Sequence, residues 1–181
     1  MKSLLFCLLF SFSSLAQTVV LETSLGNVEI ELNEKKAPKT VKNFLSYVNE
    51  GFYNGTIFHR VIDDFMIQGG GFDINLKKKD TKAEIINEAD NGLTNDVGTV
   101  AMARTGEPHS ATAQFFVNVK NNTFLNHSGK SPRGWGYAVF GKVKKGMSVI
   151  NRVKKSATKV SGPFQNLPAT NIIIKKAFVK K

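Results

Sequence analysis

The stretch Phe58-His59-Arg60-Val61-Ile62-Asp63-Asp64-Phe65-Met66-Ile67-Gln68-Gly69-Gly70-Gly71 decides how the chain is read. Two short apolar runs flank an acidic break, and three glycines end the stretch. Alternate side chains of a strand share a face, which puts Arg60 with Phe58 and Ile62, and Met66 with Gln68. A guanidinium on an apolar face is costly unless it has a partner or a task. Two readings follow from these residues: Arg60 is structural and snorkels or pairs with Asp63 or Asp64, or it serves a site. Gly69-Gly70-Gly71 precedes no helical pattern, so tight backbone packing is expected there rather than a phosphate cradle. The adjacent Asp63 and Asp64 read as a solvated turn, and His59 as a structural histidine.

Working outward, the N-terminal side carries a hairpin and a helix. Val19 to Leu32 alternates apolar and polar residues around Gly26-Asn27, a two-residue turn signal. In Ala37 to Glu50, Val41, Phe44, Leu45 and Val48 recur at helical spacing. Pro38 suits the first turn and Gly51 the C-terminal cap. Asn54-Gly55 then turns the chain into the central stretch.

On the C-terminal side, residues 72 to 96 are polar and read as a long surface excursion, with Ile85-Ile86 its small apolar pair. Thr99 to Ala103 is a small-residue strand. Arg104 to Ala113 is a loop broken by Gly106 and Pro108. In Gln114 to Val119, Phe115, Val117 and Val119 share one face, while Gln114, Phe116 and Asn118 share the other. One face suits a core, the other a partly apolar cleft. Tyr137 to Val143 is a strand, and Met147, Ile150 and Val153 mark a short second helix. Residues 154 to 170 read as a basic loop, and Ile172 to Val179 as the last strand. The expectation is about eight strands and two helices in one domain, with no repeat.

The chain has 181 residues, of which 41% are hydrophobic, enough for one real core. Residues 1–16 read as a secretory leader: Lys2, the apolar run Leu4 to Phe12, then Ser14-Leu15-Ala16 before a cleavage point. The run is too short to span a membrane stably, so no membrane association is expected after cleavage. Cys7, the single cysteine, falls inside this leader, and the remainder can form no disulfide. A periplasmic or secreted location is expected. The net charge is +11, yet the lysines are spread along the chain in pairs and one triplet. That pattern reads as a solvated basic surface, and no nucleic-acid partner is expected.

Conventional active sites do not emerge. His59, His109 and His127 have no metal-ligand spacing, and neither a nucleophile elbow nor a Walker motif is present. What remains is apolar groups with a few donors: Arg60, Phe65, Met66, Gln68, Gln114, Phe116 and Leu125.

These residues carry a resemblance. The chain from about Val19 to Val179 resembles the cyclophilin-type peptidyl-prolyl cis-trans isomerases, in their bacterial, exported branch. The most specific matches are Phe58 to Ile62, Phe65 to Gly70, Met102-Ala103-Arg104-Thr105, Ser110 to Phe116 and Val139 to Val143. The resemblance implies a mostly β fold, an eight-stranded antiparallel β-barrel closed by two α-helices, with a substrate groove on its outer face. By position it implies Arg60 as the catalytic arginine and Phe65, Met66, Phe116 and Leu125 as a proline pocket. Gln68 becomes a donor to the substrate backbone, and Ala103, Arg104, Thr105 and Gln114 a wall for the residues before the proline. Phe124 stands where the family often has tryptophan, and Tyr137 where it has a groove histidine. Both changes imply at most weak cyclosporin binding. Asp63-Asp64 replaces a common proline-glycine pair and sets two carboxylates near Arg60. The implied partners are proline-containing polypeptides, bound by a monomer without cofactor or metal. The rival implication is a chaperone or scaffold module that grips proline segments without catalysis.

Overall fold

In the computed structural model, which describes residues 16–181, eight strands close into one antiparallel barrel. The leader and Cys7 lie outside the described residues, except Ala16. In chain order the elements are β1 (Thr18–Thr23), β2 (Gly26–Leu32), α1 (Pro38–Asn49), β3 (Thr56–Ile62), β4 (Met66–Asp73), β5 (Thr99–Met102), β6 (Phe115–Asn118), β7 (Val139–Lys145), α2 (Met147–Lys154), β8 (Thr158–Ser161), β9 (Phe164–Pro168) and β10 (Ile173–Val179). The barrel runs β1-β10-β3-β4-β6-β5-β7-β2 and closes by the β1–β2 pairing.

Eight strands leave an interior that side chains can fill. Here Leu21, Ile30, Val100, Phe115, Val117 and Phe140 fill it, joined by Val41 and Phe44 from α1 and Ile150 and Val153 from α2. The ring of Phe44 packs against those of Tyr53, Phe115 and Phe140 at centroid distances of 5.3, 5.6 and 4.9 Å. These contacts explain the helical spacing in α1: its apolar stripe is part of the barrel core.

Three local expectations are corrected. The first hairpin turns at Ser24-Leu25, not Gly26-Asn27, because Thr23 pairs with Gly26 and the Thr23 hydroxyl donates to the Gly26 carbonyl at 2.6 Å. Residues 154 to 170 are not a loop throughout: β8 and β9 form a separate two-stranded sheet that packs on β3. Its apolar anchor, Phe164, meets Phe72 edge-on at 5.0 Å. Finally, Arg60 does not share a face with Phe58. Between the pairs Phe58↔Gly69 and Arg60↔Gln68, two residues of β3 match one step of β4. That bulge breaks the alternation, so Phe58 stays in the core while Arg60 is exposed on the outer surface.

At the three glycines neighbouring side chains approach the backbone closely. A Cβ on Gly69 would stand 2.8 Å from the Phe58 ring, and one on Gly70 2.8 Å from the Tyr53 ring. Gly70 also has φ +80°, which a residue with a side chain adopts only at a cost. Gly71 leaves room for Gln114, whose Cδ would lie 2.6 Å from such a Cβ.

Candidate active site

On the outer face of the barrel, β4, β5, β6 and β7 present a second, smaller apolar cluster of Met66, Ala101, Phe116 and Val139, joined by Leu125, with Phe65, Ala103 and Tyr137 packed at its edge. The alternation along β4 and β6 produces it directly. Ile67, Phe115 and Val117 point inward, so Met66, Gln68 and Phe116 face out. The register pairs Gln68 with Phe116 and Met66 with Asn118 across the two strands.

A pocket of about 90 Å³ opens in this surface, lined by Arg60, Phe65, Met66, Gln68, Ala103, Arg104, Phe116, Leu125 and Tyr137. Its floor is apolar and two guanidinium groups stand at its rim. Arg60 lies over the Phe65 ring at 5.8 Å and donates a long hydrogen bond of 3.5 Å to Gln68 Oε1. Gln68 Nε2 in turn donates to Gln114 Oε1 at 2.9 Å. The two bonds orient the Gln68 amide consistently, since a guanidinium can only donate. One Gln68 N–H remains for another acceptor.

Of the other residues expected at the site, Phe124 is 72% exposed and stacks on Phe65 at 5.6 Å. Thr105 stands just beyond the pocket, held by Ser110 Oγ at 2.9 Å from its backbone N–H and 2.7 Å from its hydroxyl. The structure therefore gathers all twelve expected positions on one face. A larger depression near β2, β5 and β7 is lined by Leu32, Leu93 and Val139 together with Glu31, Glu34, Lys35, Asp96 and Lys142, and no arginine lines it.

The acidic pair does not engage Arg60. Asp63 instead binds Lys154 at 3.3 Å and Lys155 at 2.6 Å, both at the end of α2. The hydrogen bond from Lys155 is the main reason its carboxyl is held below the usual range. Among the described residues Arg60 forms no ion pair, so the expected pairing with Asp63 or Asp64 is not made. His59 is buried between Phe72, at 4.7 Å, and Phe164, at 6.1 Å. Burial pushes its pKa down to about 4, and it takes no part in the groove.

Sequence reasoning missed the support behind the pocket. Asn118, fully buried, donates to Asn95 Oδ1 at 3.1 Å and Thr99 Oγ1 at 2.9 Å, and accepts from Asn122 at 2.7 Å. Asn122 also donates to the Phe65 carbonyl at 2.8 Å. This network fixes the loop that carries Leu125 against the strand turn that carries Phe65. Its signal was the asparagine density from 118 to 126, which also fits any polar loop.

The geometry agrees with the comparison to known families. The family model described as cyclophilin type peptidyl-prolyl cis-trans isomerase/CLD matches residues 18–179, nearly every described residue. The chain belongs to the cyclophilin family. Among curated cyclophilin relatives, peptidyl-prolyl cis-trans isomerase cyp18 of Streptomyces antibioticus is 59% identical, covering 88% of this chain and 96% of the relative. Peptidyl-prolyl cis-trans isomerase B of Escherichia coli is 56% identical, covering 90% and 99%. A crystal structure of a Cryptosporidium parvum cyclophilin superposes with a TM-score of 0.75 at 29% identity, covering 92% of this chain and 98% of that one. The activity of this cyclophilin is accordingly peptidyl-prolyl cis-trans isomerisation.

Proposed function

We propose that Arg60 drives this isomerisation by donating a hydrogen bond to the prolyl nitrogen as the peptide bond twists. The observation that carries the reading is an arginine without an ionic partner among the described residues, at the rim of a small apolar pocket. The X–Pro bond has partial double-bond character and a barrier of ~18–20 kcal/mol. Uncatalysed exchange takes about tens to hundreds of seconds. Rotation breaks amide resonance and leaves the nitrogen pyramidal, with a lone pair that accepts a hydrogen bond. In the planar ground state that lone pair is delocalised, so the donor stabilises the transition state selectively.

Phe65, Met66, Phe116 and Leu125 seat the proline ring, with Tyr137 and Phe124 at the lip. Gln68 offers its remaining N–H to the substrate backbone, while Ala103, Arg104, Thr105 and Gln114 hold the preceding residues. A ten-thousand-fold acceleration needs ~5.4 kcal/mol. One charge-assisted hydrogen bond supplies roughly 1.5–3 kcal/mol, and ring anchoring with loss of water supplies the rest. No bond to the substrate is made or broken, and no titrating acid or base is needed. A solved Cryptosporidium parvum cyclophilin was crystallised in the presence of the dipeptide Ala-Pro, which supports proline-containing segments as the ligand here. The leader pattern of residues 1–16 supports a periplasmic or secreted site of action, with exported chains as clients.

Arg60→Ala should lower kcat/KM by roughly 10- to 150-fold, the equivalent of that one hydrogen bond. A proline-peptide isomerisation assay on the wild type and the variant checks it. Binding of a proline peptide should survive the substitution. Turnover within twofold of the wild type would remove Arg60 from the mechanism.

A further inference from the structure

A second depression adjoins the proline pocket and shares Arg104 and Tyr137 with it. It is open, about 720 Å³, and its other walls come from Thr105, Phe124 and Arg133 together with Gly106 and Pro132. Its charge is one-sided. Both ionisable side chains besides the Tyr137 phenol are arginines, and neither forms an ion pair among the described residues.

The two arginines differ in a useful way. Arg104 is locked: Nε donates to the Gly136 carbonyl at 2.9 Å, Nη1 to Thr105 at 2.9 Å and Gly106 at 3.3 Å, and Nη2 to Pro132 at 3.0 Å. Its guanidinium also lies 4.7 Å from the Tyr137 ring centroid. These partners are neutral, so four of its five N–H groups are used while its full charge remains. Arg133 is exposed, and its side chain makes no hydrogen bond among the described residues. Among the described residues no carboxylate lines the depression or pairs with either arginine. Asp63 is held by Lys154 and Lys155, and Glu107, two residues past Thr105, forms no ion pair. Asp64 sits in the β3–β4 turn and does not line the depression.

We infer that this depression is a carboxylate subsite: Arg104 and Arg133 select proline segments that carry Glu or Asp within two residues of the proline. An extended chain advances about 3.3 Å per residue, so a residue next to a seated proline reaches the shared wall. Arg104 supplies a fixed charge that costs no ordering on binding, and Arg133 supplies a mobile donor. The inference rests on the groove reading above and refines its substrate class.

The test is isomerisation of paired peptides with Glu or Gln at each of the two positions before and after the proline. At low salt, Glu should exceed Gln in kcat/KM by roughly three- to five-fold at one or more positions, the usual scale of an exposed ion pair. The ratio should approach one at about 1 M salt, where screening is short-ranged. Arg133→Gln should shrink the ratio while leaving Gln-peptide turnover unchanged, and Arg133→Glu should favour Lys peptides. Equal rates for Glu and Gln at all four positions overturn the inference, as does a ratio that neither Arg133 variant alters. Absence of wild-type turnover on the Gln peptides overturns the groove reading itself, and the subsite with it.

Discussion

The inside of the barrel and the groove on its outside are built from the same strands, one residue apart. On β6, Phe115 is fully buried among aromatic rings, whereas Phe116 is the floor of the pocket. On β4, Ile67 points in while Met66 and Gln68 point out. The interior is apolar and its rings are in contact. The groove mixes equally apolar residues with donors that have spare hydrogen-bonding capacity. One face of each strand therefore supplies rigidity, and the other uses it to hold an arginine and a glutamine in place.

The comparison predicts opposite outcomes for neighbouring substitutions. Phe115→Ala should cost ~3–5 kcal/mol, the usual price of truncating a core phenylalanine, and urea unfolding measures it. Phe116→Ala should cost less stability but lower kcat/KM more than any loss of fold explains. If the two phenylalanines behave alike, the division between core and groove is wrong.

His59 belongs to neither face, and its burial gives stability a pH dependence that catalysis lacks. Its folded pKa is about 4 against an ordinary 6.5. Between those values the unfolded chain binds a proton that the folded chain does not, so stability rises with pH across the window. The contribution is complete above about pH 6.5 and lost as pH falls toward 4. Wild type should lose ~2–3 kcal/mol from pH 7 to pH 4.5 through this group, and His59→Phe should lose that much less. Under the proposed Arg60 mechanism, whose guanidinium stays charged, turnover should be nearly flat from mildly acidic to mildly basic pH while the fold is intact. A sharp bell-shaped profile for the chemical step would contradict that.

The glycines sharpen the same division. Gly70→Ala meets the Tyr53 and Phe115 rings and forces a left-handed φ, and should cost ~2 kcal/mol or more. The nearest atoms that Gly71→Ala meets belong to the Gln114 side chain, which can move. It should cost little stability yet reduce kcat/KM a few-fold by disturbing the Gln114–Gln68 contact. The smallest effect belongs to Asp63→Asn. Its lysine pairs are exposed, so stability should change by less than ~1 kcal/mol, and turnover should stay within twofold because Arg60 does not depend on it. A large loss of turnover would mean that the carboxylate acts on Arg60 after all.

Much of this was legible in the residues. Alternation in Gln114 to Val119 assigned both faces of β6 correctly, and the apolar spacing in α1 located its buried stripe. Those signals are local: side-chain direction repeats every two residues in a strand and about every 3.6 in a helix, whatever the strand later pairs with. The central stretch holds four of the residues that line the pocket, Arg60, Phe65, Met66 and Gln68, and the rest come from later segments. The local rule failed at Arg60, because its direction depends on a bulge, and a bulge is a property of two paired strands. The turn at Asp63-Asp64 was read correctly, but not its lysine partners, 91 and 92 positions away in sequence, nor the pairing of residues 158 to 168 beside His59 and Phe72. Sequence by itself determined which side chains alternate and which are apolar. Tertiary structure alone decided which cations stay unpaired and which asparagines brace the pocket, since charge and hydrogen bonding are satisfied by whatever the fold brings within about 3 Å.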